Sequence, residues 1–265
     1  MNYSLPIAIF CIALLGCKQS DPVPKETYLV WSDEFDGQSL DLDKWDVQTG
    51  DGANYGLWLW GNNEEQWYQS SNIIVQNGRL KIKAVKENVG SFEYTSARIR
   101  TANKGDFKYG RIEASIRMDQ SAGLWHAFWM LPTDASDPWP ISGEIDIMEY
   151  VGNMPDQLLN TVHFADQFGN HSSLGASSYF VNDNNFHVYA IDWDENLITW
   201  TLDGEETFVL ERGNAAIAQT WPFDAEFHLV LNTAVGGNLG GEVDDGALAT
   251  PRYMEVEYVR IYQEE

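Results

Sequence analysis

Three acidic residues lie close together in a segment that is otherwise apolar. The segment reads GEIDIMEY over residues 143–150, and its acids are Glu144, Asp146 and Glu149. Carboxyl groups are costly to place among apolar side chains, so this cluster favours a chemical role. Two carboxyls about 5–5.5 Å apart can hydrolyse a glycosidic bond with retention, one as nucleophile and the other as acid/base. A third carboxyl between them can help to hold their pKa values apart.

The spacing of these acids raises a geometric problem. On a regular β-strand side chains alternate between faces, so Glu144 and Asp146 share one face while Glu149 points to the other. A β-bulge would correct this, because it places two residues of one strand opposite a single residue of its partner. The spacing therefore predicts a bulge between the second and third acids. The alternative is a solvent-facing strand with ordinary charges, but the nearby Trp139 favours a carbohydrate cleft.

The segments around the acids have the pattern of β-strands. From Tyr28 onward, short runs of β-branched and aromatic residues alternate with clusters of Gly, Asn and Asp. Asn-Gly at residues 77–78 and Asp-Gly at 203–204 predict hairpin turns. Residues 110–118 alternate between apolar and polar side chains, and only a turn near residues 214–219 has any helical character. We predict one all-β domain over residues 28–265, folded as an antiparallel sandwich.

The composition narrows the class of ligand. The chain has 265 residues and a net charge of −24, from 40 acids and 16 bases. Such a charge argues against a nucleic acid partner, whose phosphates require a basic surface. The apolar fraction of 44% indicates a folded chain with a large core. The 11 Trp residues exceed what a core needs, and indole rings stack well on the apolar faces of ligands.

The N-terminal segment has the pattern of a secretion signal. Residues 5–16 form an apolar run that is too short to span a bilayer comfortably. Residues 14–17 (LLGC) resemble a bacterial lipobox, in which Cys17 would carry the lipid, although residues 1–4 contain no Lys or Arg. We therefore expect a lipoprotein signal over residues 1–17, a tether over 18–27 and an extracytoplasmic lipoprotein on the bacterial outer membrane or cell surface. An ordinary cleaved signal or a short anchor is the alternative.

The acidic segment and its neighbours together resemble a known family. GEIDIMEY is similar to the E-x-D-x-x-E signature of glycoside hydrolase family 16, the laminarinase-like β-glucanases. Six further segments match that family in order. They are 31–35 (WSDEF), 60–64 (WGNNE), 94–99 (YTSARI), 109–113 (YGRIE), 123–131 (GLWHAFWML) and 231–237 (LNTAVGG).

This resemblance implies a fold and a reaction. The fold would be a jelly-roll β-sandwich of two curved antiparallel sheets, with a concave substrate cleft. Glu144 would be the nucleophile, Glu149 the acid/base and Asp146 the residue that assists the nucleophile. The expected activity is endo-hydrolysis of laminarin-like β-1,3-glucan with retention, by a monomer that needs no cofactor for catalysis. The alternatives are a family member acting on mixed-linkage glucan or a galactan, and a glucan-binding protein without catalysis.

The resemblance also implies a set of substrate-binding residues. Trp125 and Trp139 match cleft tryptophans of the family, whereas Trp129 could lie in the cleft or in the core. Asn63 and Arg98 match positions that contact sugar hydroxyls. An aromatic-rich loop at residues 52–60 could close one end of the cleft or pack on a sheet edge.

Two further matches concern support of the fold and the site. His163 matches a family histidine near the acid/base, to which we assign binding or support rather than proton transfer. Many family members hold a structural calcium ion on the convex side. The matching positions are Glu34 and Gly78, through backbone carbonyls, and Glu257, through its carboxylate. Glu257 stands where the family often has Asp, and its extra methylene would shift the ligand oxygen.

Overall fold

The computed structural model describes residues 27–134 and 136–264, and these residues form mostly β-strands. The first nine strands are β1 (Thr27–Asp33), β2 (Asp46–Gln48), β3 (Gln66–Tyr68), β4 (Ile73–Val75), β5 (Leu80–Val89), β6 (Phe92–Ser96), β7 (Arg98–Arg100), β8 (Asp106–Phe107) and β9 (Gly110–Met118). The next nine are β10 (Leu124–Pro132), β11 (Glu144–Val151), β12 (Gln157–Ala165), β13 (His171–Tyr179), β14 (His187–Trp193), β15 (Leu197–Leu202), β16 (Glu205–Glu211), β17 (Phe227–Val235) and β18 (Arg252–Glu264).

The helices within these ranges are short. Three 3₁₀ helices span Ala53–Tyr55, Trp58–Gly61 and Ser70–Asn72, and two α-helices are α1 (Gly237–Gly240) and α2 (Asp245–Leu248). In the part of the chain that the structure describes, no helix has the length and apolar character needed to cross a membrane. The predicted signal, the lipobox Cys17 and residues 18–26 of the predicted tether lie outside the described residues.

The described strands form two sheets, as expected for a jelly-roll sandwich. Sheet 1 has the order β16-β15-β14-β9-β18-β5-β6-β3, with β1 beside β18 and β4 beside β5. Sheet 2 has the order β13-β12-β11-β10-β17-β7-β2, with β8 beside β17. The pairings are antiparallel except for β3 with β6, which is parallel. The acidic strand β11 therefore lies inside sheet 2, with β10 on one side and β12 on the other.

The core lies between the two sheets and follows the alternation of the sequence. Ile112, Ala114, Ile116 and Met118 of β9 are all at most 2% exposed, as their period-two spacing predicts. Sheet 2 contributes alternate residues of β10 and β17 to the same core. One face of sheet 2 is thus fixed against sheet 1, which leaves its other face available for a site.

The predicted hairpins are present and have the expected backbone. Residues 77 and 78 both have positive φ, 57° and 68°, between the paired strands β4 and β5. Asp203 and Gly204 also have positive φ, 51° and 85°, between β15 and β16. Positive φ at both central residues is what a two-residue hairpin turn of type I′ requires. Because β1 pairs with β18 from Thr27 to Glu264, the two described ends of the chain lie side by side.

Candidate active site

The predicted β-bulge is present in β11. Against β12, Asp146 pairs with Thr161 and Glu149 pairs with Leu159. The step between these pairs is three residues along β11 and two residues along β12, so β11 contains one extra residue. Against β10 the register also skips one residue, between Asp146 and Met148. The extra residue reverses the alternation and returns Glu149 to the face of Glu144 and Asp146.

Core packing and two hydrogen bonds hold the bulge. Ile147 and Met148 are adjacent in sequence, yet both are buried in the core between the sheets. The Nδ2 of Asn160 donates to the carbonyl of Ile147 at 2.8 Å. The indole Nε1 of Trp200, in sheet 1, donates to the carbonyl of Asp146 at 2.9 Å. These bonds satisfy backbone oxygens that the irregular register removes from the ladder.

Tryptophans bind the first and third carboxyls of the cluster. The Nε1 of Trp139 donates to Glu144 Oε2 at 2.7 Å, and the Nε1 of Trp125 donates to Glu149 Oε1 at 2.9 Å. Trp139 is 49% exposed, and Trp125 is partly exposed. Each indole therefore fixes a carboxyl while part of its ring remains open to a ligand. Both residues were predicted to line the cleft.

The carboxyls raise one another's pKa. Burial and the charge of Asp146 raise the pKa of Glu144 to about 8. Burial and the charge of Glu144 raise the pKa of Glu149 to about 7. Burial and the charge of Glu149 hold the pKa of Asp146 well above its usual range. At neutral pH the three groups therefore cannot all be ionised.

The position of the shared proton follows from burial. Asp146 is 2% exposed, whereas Glu144 is partly exposed and accepts the Trp139 N–H. Burial disfavours the charged form, and a donated hydrogen bond favours it. Within this pair Glu144 is therefore the carboxyl that ionises first, as the pH rises toward its pKa of about 8, and Asp146 is the one that keeps its proton.

His163 lies beside the same pair. Its Nε2 is 3.2 Å from Asp146 Oδ2, and its Nδ1 is 2.8 Å from Nε2 of His171 on β13. Single ligand atoms of Glu144, Asp146 and His163 lie within 4.8 Å of one another, a spacing that could also hold a metal ion. Hydrolysis by a pair of carboxyls does not require one. His163 was predicted from the sequence, and His171 was not.

Trp129 is held by a buried polar chain that the sequence did not predict. Its Nε1 donates to Asn232 Oδ1 at 2.8 Å, and Asn232 Nδ2 donates to the hydroxyl of Tyr68 at 3.1 Å. That hydroxyl donates to Glu64 Oε2 at 2.9 Å. Burial raises the pKa of Glu64, and the nearby Arg98 opposes this shift. Trp129 therefore faces away from the core, in a fixed orientation.

Arg98 lies between two aromatic rings. Its guanidinium is 4.7 Å from the ring centroids of both Trp60 and Trp129, and its Nε donates to Gln48 Oε1 at 2.7 Å. Arg98 is only 4% exposed, so any contact with a sugar is limited to a small part of it. The observed contacts make Arg98 a support for Trp129.

The aromatic loop of residues 52–60 packs on the sheet, which is one of its two predicted arrangements. Trp60 is buried against Arg98 of β7, so this part of the loop packs on sheet 2. Trp58, two residues before Trp60 in the same loop, is 66% exposed. Asn63, which follows the loop, is exposed and donates its Nδ2 to Asn238 Oδ1 at 2.8 Å.

Both glutamates of the predicted calcium site have cationic partners. The carboxylate of Glu257 contacts Arg79 Nη2 at 3.2 Å and accepts from Ser115 at 2.9 Å. Arg260 binds both carboxylate oxygens of Glu34, at 2.9 and 2.8 Å. Glu257 is the one predicted ligand that would bind through its side chain. A divalent cation would have to displace Arg79 from this carboxylate. This arrangement does not favour the predicted ion.

The fold and the site together define a class of enzyme. An all-β sandwich that carries interacting carboxyls and partly exposed tryptophans on one sheet face is built for hydrolysis of a glycosidic bond. The chain belongs to the glycosyl hydrolases of family 16, whose family model matches residues 61–255. It is a glycoside hydrolase with the jelly-roll fold, and its catalysis needs no cofactor.

Individual relatives agree with this membership. The chain is 40% identical over 275 residues to a beta-glucanase from Rhodothermus marinus, across 98% of this chain and 93% of that protein. It is 36% identical over 274 residues to glucan endo-1,3-beta-glucosidase A1 from Niallia circulans, across 93% of this chain and 39% of that longer protein. The structure resembles the catalytic domain of an endo-1,3-beta-glucanase (laminarinase) from Thermotoga petrophila RKU-1. The TM-score is 0.85 at 35% identity, across 91% of this chain and 100% of that one.

Proposed function

We propose that the chain is an endo-acting retaining β-1,3-glucanase that hydrolyses laminarin-like glucan by double displacement. The observation that carries this proposal is the bulge in β11, which brings Glu149 to the face of Glu144. The names of the relatives from Niallia circulans and Thermotoga petrophila support the β-1,3 linkage. A net charge of −24 suits a neutral glucan better than a sulfated galactan.

In the first step Glu144 is the nucleophile and Glu149 is the acid. The ionised carboxylate of Glu144 attacks the anomeric carbon, and the bond from this carbon to the leaving oxygen breaks. Glu149 gives its proton to that oxygen, and its pKa of about 7 keeps much of it protonated at neutral pH. Asp146 holds its proton beside Glu144, so the nucleophile keeps a single negative charge.

In the second step water releases the sugar. Glu149 is now a carboxylate and takes a proton from a water molecule, which attacks the same anomeric carbon. The ester bond to Glu144 breaks, and Glu144 leaves as a carboxylate. Two inversions at one carbon give net retention.

The partly exposed aromatic residues form the proposed sugar platforms. Trp125 and Trp139 flank the two reacting carboxyls, and Trp129 extends the platform toward β7. Indoles stack on the apolar faces of sugar rings, and their N–H groups here are already used by protein partners. Asn63 is exposed beside this surface and is proposed to bind a sugar hydroxyl.

Product analysis tests this function. We expect new reducing ends from laminarin, fewer from lichenan and none from agarose. Freshly released products should be β-anomers by NMR before they mutarotate. Glu144→Gln and Glu149→Gln should each lower kcat by at least roughly 1000-fold on laminarin, with thermal stability retained. Near-normal activity of Glu144→Gln would disprove the assignment, and glucan binding without cleavage by the wild type would support a binding protein instead.

We also propose that the protein is a monomeric bacterial lipoprotein, anchored through Cys17. The support is the lipobox-like sequence LLGC at residues 14–17. Metabolic labelling with a fatty acid should label the wild type and not Cys17→Ser. Fractionation should move the Cys17→Ser protein out of the membrane fraction, while light scattering of the protein without residues 1–17 should give the mass of one chain.

We also propose that a structural calcium ion can bind at Glu34, Gly78 and Glu257 when it displaces Arg79 from the carboxylate of Glu257. Thermal melting with calcium and with a chelator tests it. If the ion binds, calcium should raise the melting temperature of the wild type, and Arg79→Ala should increase that response. Equal melting temperatures in both conditions for both proteins would reject the ion.

A further inference from the structure

His171 connects the sugar platform with the carboxylate cluster. It is the first residue of β13 and pairs with Ala165, two residues beyond His163 on β12. Its Nε2 lies 2.8 Å from His163 Nδ1, and the two imidazole rings are stacked with centroids 5.1 Å apart. On its other side, its ring centroid is 4.7 Å from that of Trp139. One side chain thus contacts two parts of the site.

The hydrogen bond between the histidines fixes which nitrogen of His163 carries the proton. A neutral imidazole has one donor and one acceptor nitrogen. Asp146 Oδ2 is buried and has no hydrogen-bond partner among the described residues, and His163 Nε2 lies 3.2 Å from it. Asp146 makes its hydrogen bond with Glu144 through its other oxygen, Oδ1, so its proton lies there and Oδ2 is left to accept from an N–H at His163 Nε2. Nδ1 of His163 is then an acceptor, and Nε2 of His171 must donate to it.

The ring contact has a separate effect on Trp139. This residue lies in the loop between β10 and β11, and its Nε1 is bound to Glu144 Oε2. The His171 ring is tilted by 35° to the indole and is closer to it than the ring of His163, at 4.7 Å against 6.2 Å. The contact supports one side of an indole that is otherwise half-exposed.

We propose that His171 is a positioning residue, which fixes the tautomer of His163 through its hydrogen bond and the orientation of Trp139 through ring contact. This inference rests on the proposed function of Glu144, Asp146 and Glu149. The two effects act on different steps, the chemical step and the binding of substrate. The tautomer of His163 affects the carboxyls that react, whereas the orientation of Trp139 affects binding of the sugar.

Two substitutions of His171 separate these effects. His171→Phe keeps a ring for Trp139 and removes the donor to His163, so we expect kcat to fall roughly tenfold with KM nearly unchanged. His171→Gln keeps an amide donor and removes the ring, so we expect KM to rise about three- to tenfold with kcat nearly unchanged. His171→Ala should show both losses. Ser177→Ala, on the same strand, is the matched control and should match the wild type.

Histidine ¹⁵N NMR gives a readout that does not depend on activity. The chain has only 5 His, so the His163 signals can be assigned by substitution. We expect a protonated Nε2 and an unprotonated Nδ1 in the wild type and in His171→Gln. In His171→Phe the other tautomer of His163 should become populated.

The kinetic and spectroscopic outcomes decide the proposal. Kinetics are measured on the glucan that the wild type cleaves, after thermal melting has shown that each variant is folded. The proposal would be overturned if His171→Phe kept the wild-type kcat and the wild-type tautomer of His163. It would also be overturned if His171→Phe and His171→Gln changed kcat by the same factor and KM by the same factor. If the wild type cleaves no glucan, the proposed function fails, while the NMR comparison still tests the tautomer.

Discussion

The hydrogen bond from Trp125 to Glu149 connects a proposed sugar platform with the pKa of the proposed acid. Burial raises the pKa of Glu149, and the indole N–H opposes this rise because it stabilises the charged carboxylate. The resulting pKa is about 7. Activity requires the protonated acid and is lost as the pH rises through this pKa. The alkaline limb of the activity profile therefore reports the Trp125 bond.

We predict that Trp125→Phe shifts this alkaline limb upward. Loss of the donor destabilises the carboxylate, so the pKa of Glu149 should rise by roughly 0.5–1 unit, with water replacing part of the bond. The measurement is kcat/KM against pH, since that ratio reports groups of the free enzyme. Trp129→Phe is the matched control, because its indole binds Asn232 rather than an acid. An unchanged or lowered alkaline limb in Trp125→Phe would contradict the prediction.

At the scale of residues, the sequence predicts the groups proposed to react better than the groups that contact and support them. The three acids and Trp139 lie within eleven consecutive residues, so their spacing alone indicates a joint role. Tyr68 and Asn232 are 164 positions apart, and no local pattern connects them. The pairing of His163 with His171 was missed for a related reason, because their contact depends on the register between two strands.

At the scale of elements, the bulge in β11 depends on a bond from the neighbouring strand. Asn160 of β12 is 2% exposed, and its amide satisfies the Ile147 carbonyl. A buried carbonyl without a partner costs about 1–3 kcal/mol. The bond therefore stabilises the irregular register that orients Glu149.

We predict that Asn160→Ala weakens both the fold and the reaction. The free energy of unfolding should fall by about 1–3 kcal/mol, and kcat should fall roughly tenfold or more at a temperature where the variant is folded. Denaturant unfolding and steady-state kinetics measure the two effects. Gln157→Ala on the exposed part of β12 should change stability by less than about 0.5 kcal/mol. Full kcat in a destabilised Asn160→Ala would show that the bond serves stability alone.

The elements themselves were largely predictable. Alternation located β9, and the Asn-Gly and Asp-Gly pairs located two hairpins. The bulge was predictable from the odd spacing of Glu144 and Glu149, because acids five positions apart cannot share a face of a regular strand. The order of strands in the sheets was not predictable from local pattern, since β18 lies between β9 and β5, far from both in sequence.

At the scale of the whole molecule, aromatic side chains continue across sheet 2 from the carboxyls of β11 toward β7. The loop of residues 52–60 packs on β7 through Trp60 and Tyr55, whose rings lie near Arg98 and Arg100. Trp58 in the same loop is 66% exposed. Because this loop packs on β7, we infer that a long glucan crossing sheet 2 toward β7 approaches Trp58, whereas a short one bound at the carboxyls does not.

We predict that Trp58→Ala selectively weakens action on long chains. KM for long β-1,3-glucan should rise about three- to tenfold, because stacking on an indole is lost. KM for short oligosaccharides and kcat for both substrates should remain within about twofold. Leu57→Ala, a neighbouring exposed residue, is the matched control. An equal rise in KM for short and long substrates would place Trp58 next to the reacting bond instead.

The bulge in β11 also has an evolutionary consequence. Loss of a single codon, for Met148, would leave the three acids at i, i+2 and i+4, and a regular strand of that length presents all three on one face. Insertion of a codon at the same place would instead put the acid/base at i+6, on the same face of a regular strand but about 7 Å farther along it than in the deletion variant, too far from Glu144 to act on the same bond. The lineage of this enzyme can therefore shorten the strand in one mutational step and keep its reacting groups together. We expect a Met148 deletion variant to retain measurable hydrolysis and an insertion variant to retain none, as reducing-end assays can determine.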